Sequence, residues 1–216
     1  MSAPVLVCFA VPQEAKPFLK LIRDRTDVVV LVTGIGARNA ERAVRKMLGE
    51  FSPGRVFSCG FAGALNSQLR IADVVFDIES TDADLGARLQ SLGATPAKFF
   101  CAETVATTVA EKAALRARTG ADAVEMESKT ISEVCRERGI ECVTLRAISD
   151  SAHENLPLDF NALMTPEHEL SSVRIAWAIL RAPQRIPALV RLGQNSACAA
   201  EQLARFLQRA ICGPVE

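Results

Sequence analysis

Three carboxylates, Glu14, Glu127 and Asp150, each stand just past an apolar run with the character of a buried strand. A charged group in such a place is costly unless water, a partner or a ligand meets it. Each also has a simpler role open to it. Glu14 would pair with the dipole in the first turn of a helix, Glu127 would begin the helix that follows at Ser128, and Ser149-Asp150 would act as an N-cap pair. Gathered in one crevice they would do more. Two carboxyls of separated pKa can divide the work of breaking a glycosidic bond, one protonating the leaving group and the other activating water.

Competing chemistries lack their parts. No Gly-x-x-x-x-Gly-Lys-Ser/Thr loop is present, and Gly34-Ile35-Gly36-Ala37-Arg38-Asn39 misses the third glycine of a dinucleotide fingerprint. His153 and His168 fall in a polar, loop-like region and read as surface residues rather than metal ligands. Neither offers a Ser or Cys nucleophile a positioned base. No metal and no organic cofactor is expected.

The elements that must hold these residues alternate between short β-branched runs and helical patterns, the order of an α/β fold with strands largely parallel. Strands are expected at Val5 to Ala10, Val28 to Thr33, Arg55 to Cys59, Asp73 to Asp77, Ala123 to Glu125 and Cys142 to Ile148. Helices are expected at Gln13 to Arg23, Ala37 to Glu50 and Ser128 to Arg138; the stretch from Ile78 to Ala110 gives no clear pattern. Beyond Pro166 the chain reads as arginine-rich helix, broken into pieces by Pro183 and Pro187. In such folds the loops leaving the carboxyl ends of strands build the binding crevice. Val11 to Glu14, Gly34 to Gly36, Gly60 to Ala64, Glu125 to Glu127 and Ser149-Asp150 all fall at such ends.

The chain has 216 residues, 49% hydrophobic and 23% charged, with 25 basic residues against 25 acidic ones. One domain spanning 1–216 is expected, its helical tail at about 166–212. The balanced charge gives no general reason to hold nucleic acid. Seven cysteines, never spaced Cys-x-x-Cys, read as buried, reduced thiols of a cytoplasmic protein. Val5 to Val11 lacks a basic leader and reads as a strand rather than a signal peptide. No apolar run approaches the roughly 18 residues needed to span a bilayer.

Val32-Thr33-Gly34-Ile35-Gly36, Cys59-Gly60-Phe61-Ala62-Gly63-Ala64-Leu65, Ile71-Ala72-Asp73-Val74-Val75, Val124-Glu125-Met126-Glu127 and Arg146-Ala147-Ile148-Ser149-Asp150 occur in the order of known motifs. They resemble the nucleoside phosphorylase and nucleosidase superfamily, and most nearly its 5'-methylthioadenosine/S-adenosylhomocysteine nucleosidases. The resemblance implies a three-layer α/β/α sandwich around a mixed, mostly parallel sheet, and cleavage of the bond between a purine and a ribose. It implies that Asp150 protonates or hydrogen-bonds N7 of the departing base and that Glu14 takes a proton from the attacking water. Glu127 would grip the ribose hydroxyls with Met126 against the sugar, and Glu125 and Ser149 would join the substrate-binding set. Ile35 and Phe160 match apolar positions that line the nucleoside, and Thr104 and Val105 fall where the family contacts the base.

Two departures bear on the activity. Phe61 stands where the nucleosidases have Ser, adding bulk near the sugar. Ser58 stands where the phosphorylases hold phosphate with arginine, which favours hydrolysis, since a phosphate needs several donors and positive charge. Phe61, the compact length and the arginine-rich tail also resemble the hopanoid-associated phosphorylase-like branch. That likeness implies a nucleoside carrying a large apolar group, and a basic helix bearing Ile175, Trp177, Ile179 and Leu180 would then approach an anionic membrane surface. The simpler role for that helix is packing on the core or on a partner subunit. Three functions follow: hydrolysis of an adenine nucleoside modified at its 5' position; phosphorolysis, with phosphate as co-substrate; or nucleoside binding in a site that Phe61 has disabled. A homodimer is expected, as relatives commonly assemble.

Overall fold

The computed structural model of the chain describes residues 3–78, 83–165 and 172–212. In chain order the elements are β1 (Val5–Phe9), α1 (Pro12–Leu21), β2 (Val28–Val32), α2 (Ala37–Glu50), β3 (Arg55–Ala64) and β4 (Val74–Ile78). There follow α3 (Ala83–Ser91), β5 (Thr95–Pro96), β6 (Phe99–Cys101), α4 (Val109–Thr119), β7 (Ala123–Glu125), α5 (Ser128–Glu137) and β8 (Glu141–Asp150). The chain ends in α6 (Phe160–Leu163), α7 (Ser172–Arg181), a 3-10 turn (Pro183–Arg185) and α8 (Ile186–Cys212).

Among the described residues the strands form one sheet in the order β2-β1-β3-β8-β4-β5, with β7 against β3 and β6 against β7. β1 is parallel to β2 and β3, and β3 to β8, whereas β4 runs antiparallel to β8 and β7 antiparallel to β3. The sheet is therefore mixed and mostly parallel, as expected. Alternation along β1 sorts its side chains into two cores. Val7 and Phe9 join Phe18 of α1, Leu85 and Leu89 of α3, and Leu203, Phe206 and Leu207 of α8 on one face. Leu6 and Cys8 join Ala40, Val44 and Leu48 of α2, with Ile131 and Val134 of α5, on the other. Helices on both faces of one sheet make the three layers.

Several boundaries depart from the sequence reading. β3 runs on through Gly60 to Ala64 instead of ending at Cys59 in a loop, because β8 and β7 supply partners for its last residues. β8 likewise reaches Asp150, so Ser149 and Asp150 belong to a strand end and not to a helix cap. The unread stretch holds α3, β5, β6 and the approach to α4. Pro183 does break the tail, but Pro187 sits in the first turn of α8, where an amide hydrogen has no helical partner to lose. The carboxyl half of α8 packs into the core through Ala199, Leu203 and Leu207. Trp177 and Leu180 of α7, and Ile186 and Val190 of α8, are exposed, and Arg181 lies over the Trp177 ring. The side chain of Ile175 lies outside the described residues, as does His168.

Candidate active site

The carboxyl ends of β1, β3, β7 and β8 open into a cavity of about 450 Å³, within the size range of small-molecule sites. Glu14, Glu127 and Asp150 all line it, and so do Ile35, Phe61, Thr104, Val105, Glu125, Met126, Ser149 and Phe160. Residues more than a hundred positions apart thus meet where the strand order places them.

Glu14 is set by the start of α1. Its Oε2 accepts hydrogen bonds from the amides of Ala10 and Val11, at 2.9 and 3.1 Å, and its Oε1 accepts from the Phe61 amide at 2.8 Å. The carboxylate therefore bridges β1 and β3. Gly60 makes this approach possible: a Cβ there would lie 2.8 Å from Glu14 Oε1, and its φ of +152° is one that side-chain-bearing residues rarely adopt. Gly63 plays the same part for Asp150, since a Cβ would lie 2.9 Å from Oδ2. Residues three apart on a regular strand face opposite ways, but the β3–β8 register shifts between Ala62 and Gly63. The extra residue is Ser149 of β8, which brings Asp150 opposite Gly63, while Gly60 with its φ of +152° departs from regular strand geometry by itself. Along β3 the two glycines are spaced by about 10 Å.

Phe61 does not fill the hollow. It lines the cavity and packs against the core that Phe57 and Cys59 share with α8. Its backbone amide, not its ring, is what holds Glu14.

Glu125 and Glu127 differ sharply although they are two residues apart. Glu125 Oε2 accepts from Arg146 at 2.6 Å and from the amides of Glu127 and Ser128, and its Oε1 accepts from the Ser128 hydroxyl. Both oxygens are committed within the protein. Burial raises the Glu125 pKa, but Arg146 and these donors outweigh it and hold the carboxyl below its ordinary value. Glu127 receives the Gly36 amide at 2.8 Å, and its other oxygen lies 3.9 Å from Arg146. Burial, with the Glu125 charge beside it, pushes the Glu127 pKa up to about 7. Burial raises Glu14 as well, against the pull of its three amide donors. Arg146 is 1% exposed and gives its Nη atoms to Ser58 and Glu125. Ser58 is fully buried and does not line the cavity.

Glu14 and Glu127 hold protons in the folded chain at pH values where an unfolded chain has released them. The stability this gives is full below the ordinary glutamate pKa and is lost as pH rises through the folded value. For Glu127 the window runs from 4.5 to about 7. For Glu127 alone, thermal stability is expected to fall across that window by up to about 1.4 kcal/mol per pH unit, and Glu127→Gln to flatten the fall. Melting curves of the two proteins that run parallel with pH would contradict a buried, protonated Glu127.

Some site residues had no signal in the sequence. Leu192 and Ser196, one turn apart on α8, and Leu156 in the loop after β8 complete the cavity wall. Lys112 of α4, 1% exposed, lies behind Asp150 with Nζ 2.6 Å from Oδ2. A lysine in an alanine-rich helix reads as solvated, and nothing local marks this one as buried. Asn161 holds the Val105 backbone at both ends, its carboxamide accepting from the amide at 2.8 Å and donating to the carbonyl at 2.9 Å.

Comparison with known proteins bears on the family and the fold. The chain is 28% identical over 187 residues to a 5'-methylthioadenosine/S-adenosylhomocysteine nucleosidase of Staphylococcus carnosus, covering 72% of this chain and 82% of that protein. It is 27% identical over 205 residues to an aminodeoxyfutalosine nucleosidase of Helicobacter pylori, covering 78% and 89%. The fold matches the solved futalosine hydrolase of Helicobacter pylori with a TM-score of 0.74 at 19% identity, covering 99% of each chain. A 5'-methylthioadenosine/S-adenosylhomocysteine nucleosidase of the same organism, solved with butyl-thio-DADMe-Immucillin-A, matches with a TM-score of 0.74 at 18% identity, covering 99% of this chain and 100% of that one. The model of the phosphorylase superfamily matches residues 10–88 and 97–181, most of the chain, and the protein belongs to that superfamily.

Proposed function

We propose that the protein hydrolyses the N-ribosyl bond of an adenine nucleoside with a modified 5' group. The observation that carries this reading is the charge around the cavity. Glu14, Glu127 and Asp150 line it, while no lysine or arginine does among the described residues. Such a wall supplies carboxyl groups that can give and take protons at a breaking glycosidic bond, and it offers a phosphate no cationic partner. The names of the relatives, both nucleosidases, point the same way.

In this reading Asp150 delivers a proton to N7 of the base while the C1'–N9 bond breaks. Glu14 accepts a proton from the water whose oxygen bonds to C1'. Its raised pKa suits the role, since a base works best when its pKa lies near the working pH. Glu127, oriented by the Gly36 amide, accepts hydrogen bonds from the ribose hydroxyls, with Met126 against the ring. Ile35, Val105 and Phe160 give the nucleoside apolar walls, and Ser149 steadies Asp150 through a hydrogen bond of 2.8 Å. Glu125 serves the site by fixing Arg146 and the start of α5. The water's hydroxyl ends on the sugar and one proton ends on adenine.

The test is a nucleoside panel with and without phosphate, read by chromatography. Methylthioadenosine or an adenosine with a bulkier apolar 5' group should yield adenine and free sugar at a rate phosphate does not change. Strict dependence on phosphate, with ribose 1-phosphate formed, would replace hydrolysis by phosphorolysis. Binding without turnover of any nucleoside would leave a binding protein.

A further inference from the structure

Lys112 has all three ammonium hydrogens engaged. Nζ donates to Asp150 Oδ2 at 2.6 Å, to the Ser151 carbonyl at 2.7 Å and to the Glu154 carbonyl at 3.1 Å. The other Asp150 oxygen accepts from the Ser149 hydroxyl. Taking a lysine to 1% exposure is expensive, and an apolar side chain would join α4 to the end of β8 at less cost. Its place behind the carboxylate that faces the base suggests what the ammonium is for.

We propose that Lys112 is the proton source behind Asp150, an inference that rests on the nucleosidase reading above. As the C1'–N9 bond breaks, its electron pair moves into the purine and makes N7 more basic. A proton passes from Lys112 Nζ to Asp150, and the carboxyl proton passes on to N7. Asp150 ends ionised, Lys112 ends as a neutral amine, and Glu14 holds the proton taken from water. Exchange with solvent restores Lys112 and Glu14, so the sum is nucleoside plus water giving sugar plus base. Lys112 is a positioning residue, reaching the substrate only through Asp150.

Two substrates with the same 5'-modified sugar separate this role from a structural one: the adenine nucleoside and the 4-nitrophenyl riboside, whose nitrophenolate leaves without a proton. Lys112→Met is expected to lower kcat on the nucleoside by about 100-fold, with KM and turnover of the nitrophenyl riboside changed by less than about threefold. In an Asp150→Asn background, Lys112→Met should cost nothing further on the nucleoside. Equal losses on both substrates, or a further loss in that background, would overturn the inference while leaving the nucleosidase reading intact. Wild-type protein that cleaves neither substrate would sink both. If Lys112→Met does not fold, Lys112→Arg keeps the charge yet releases no proton. It should be as slow on the nucleoside, and full turnover by it would overturn the role.

Discussion

Replacing Asp150 by Asn is expected to slow adenine release by about a thousandfold. The amide keeps the size of the side chain but has no proton to transfer to N7, so the purine must leave as an anion. The substitution also leaves the Lys112 ammonium enclosed without its counter-charge. Removing one partner of a buried pair costs about 3 kcal/mol or more, so the melting temperature should fall as well. Adding Lys112→Met removes the lone charge and should recover stability without recovering turnover. Steady-state kinetics beside thermal denaturation separates the two effects. Wild-type turnover in Asp150→Asn would take Asp150 out of the chemistry.

Glu14→Gln should cost a comparable factor, about 10²- to 10³-fold in kcat, because the attacking water then has no acceptor for its proton. A second variant reaches the same step without touching Glu14. Gly60→Ala would put a methyl carbon 2.8 Å from Oε1, at a φ of +152°. The carboxylate would have to leave the Phe61 amide, and the strand would carry the strain of that φ. Loss of turnover with nucleoside binding largely kept is the expected outcome, measured by single-turnover kinetics and by calorimetry with the product adenine. Gly60→Ala with wild-type kcat would show that Glu14 works without its anchor on β3.

Much of the site could be read from the chain because its pieces are local. A buried strand followed by a carboxylate is a short pattern, and it occurs at Glu14, at Glu127 and near Asp150. The end of β8 is not legible there, since the extra strand residues depend on neighbours distant in sequence. Cys59-Gly60-Phe61-Ala62-Gly63 reads as a glycine-rich loop for the same reason. In the fold it continues β3 opposite a bulge in β8, and its glycines leave space for two carboxylates. Adjacent acids in Glu125-Met126-Glu127 look alike in sequence, yet Arg146 separates them into a fixed ion pair and a carboxyl with a raised pKa.

The amino-acid order by itself determined the α/β architecture and the acidic character of the strand ends, since both follow from periodicity and neighbours within a few residues. Which of those acids keeps an oxygen free for a ligand was decided only by packing. So were the cavity left open beside Phe61, the wall that α8 supplies, and the lysine set behind Asp150. Each depends on segments tens of residues apart being brought into contact, and a charge on a helix has the same sequence pattern whether it faces water or a buried partner.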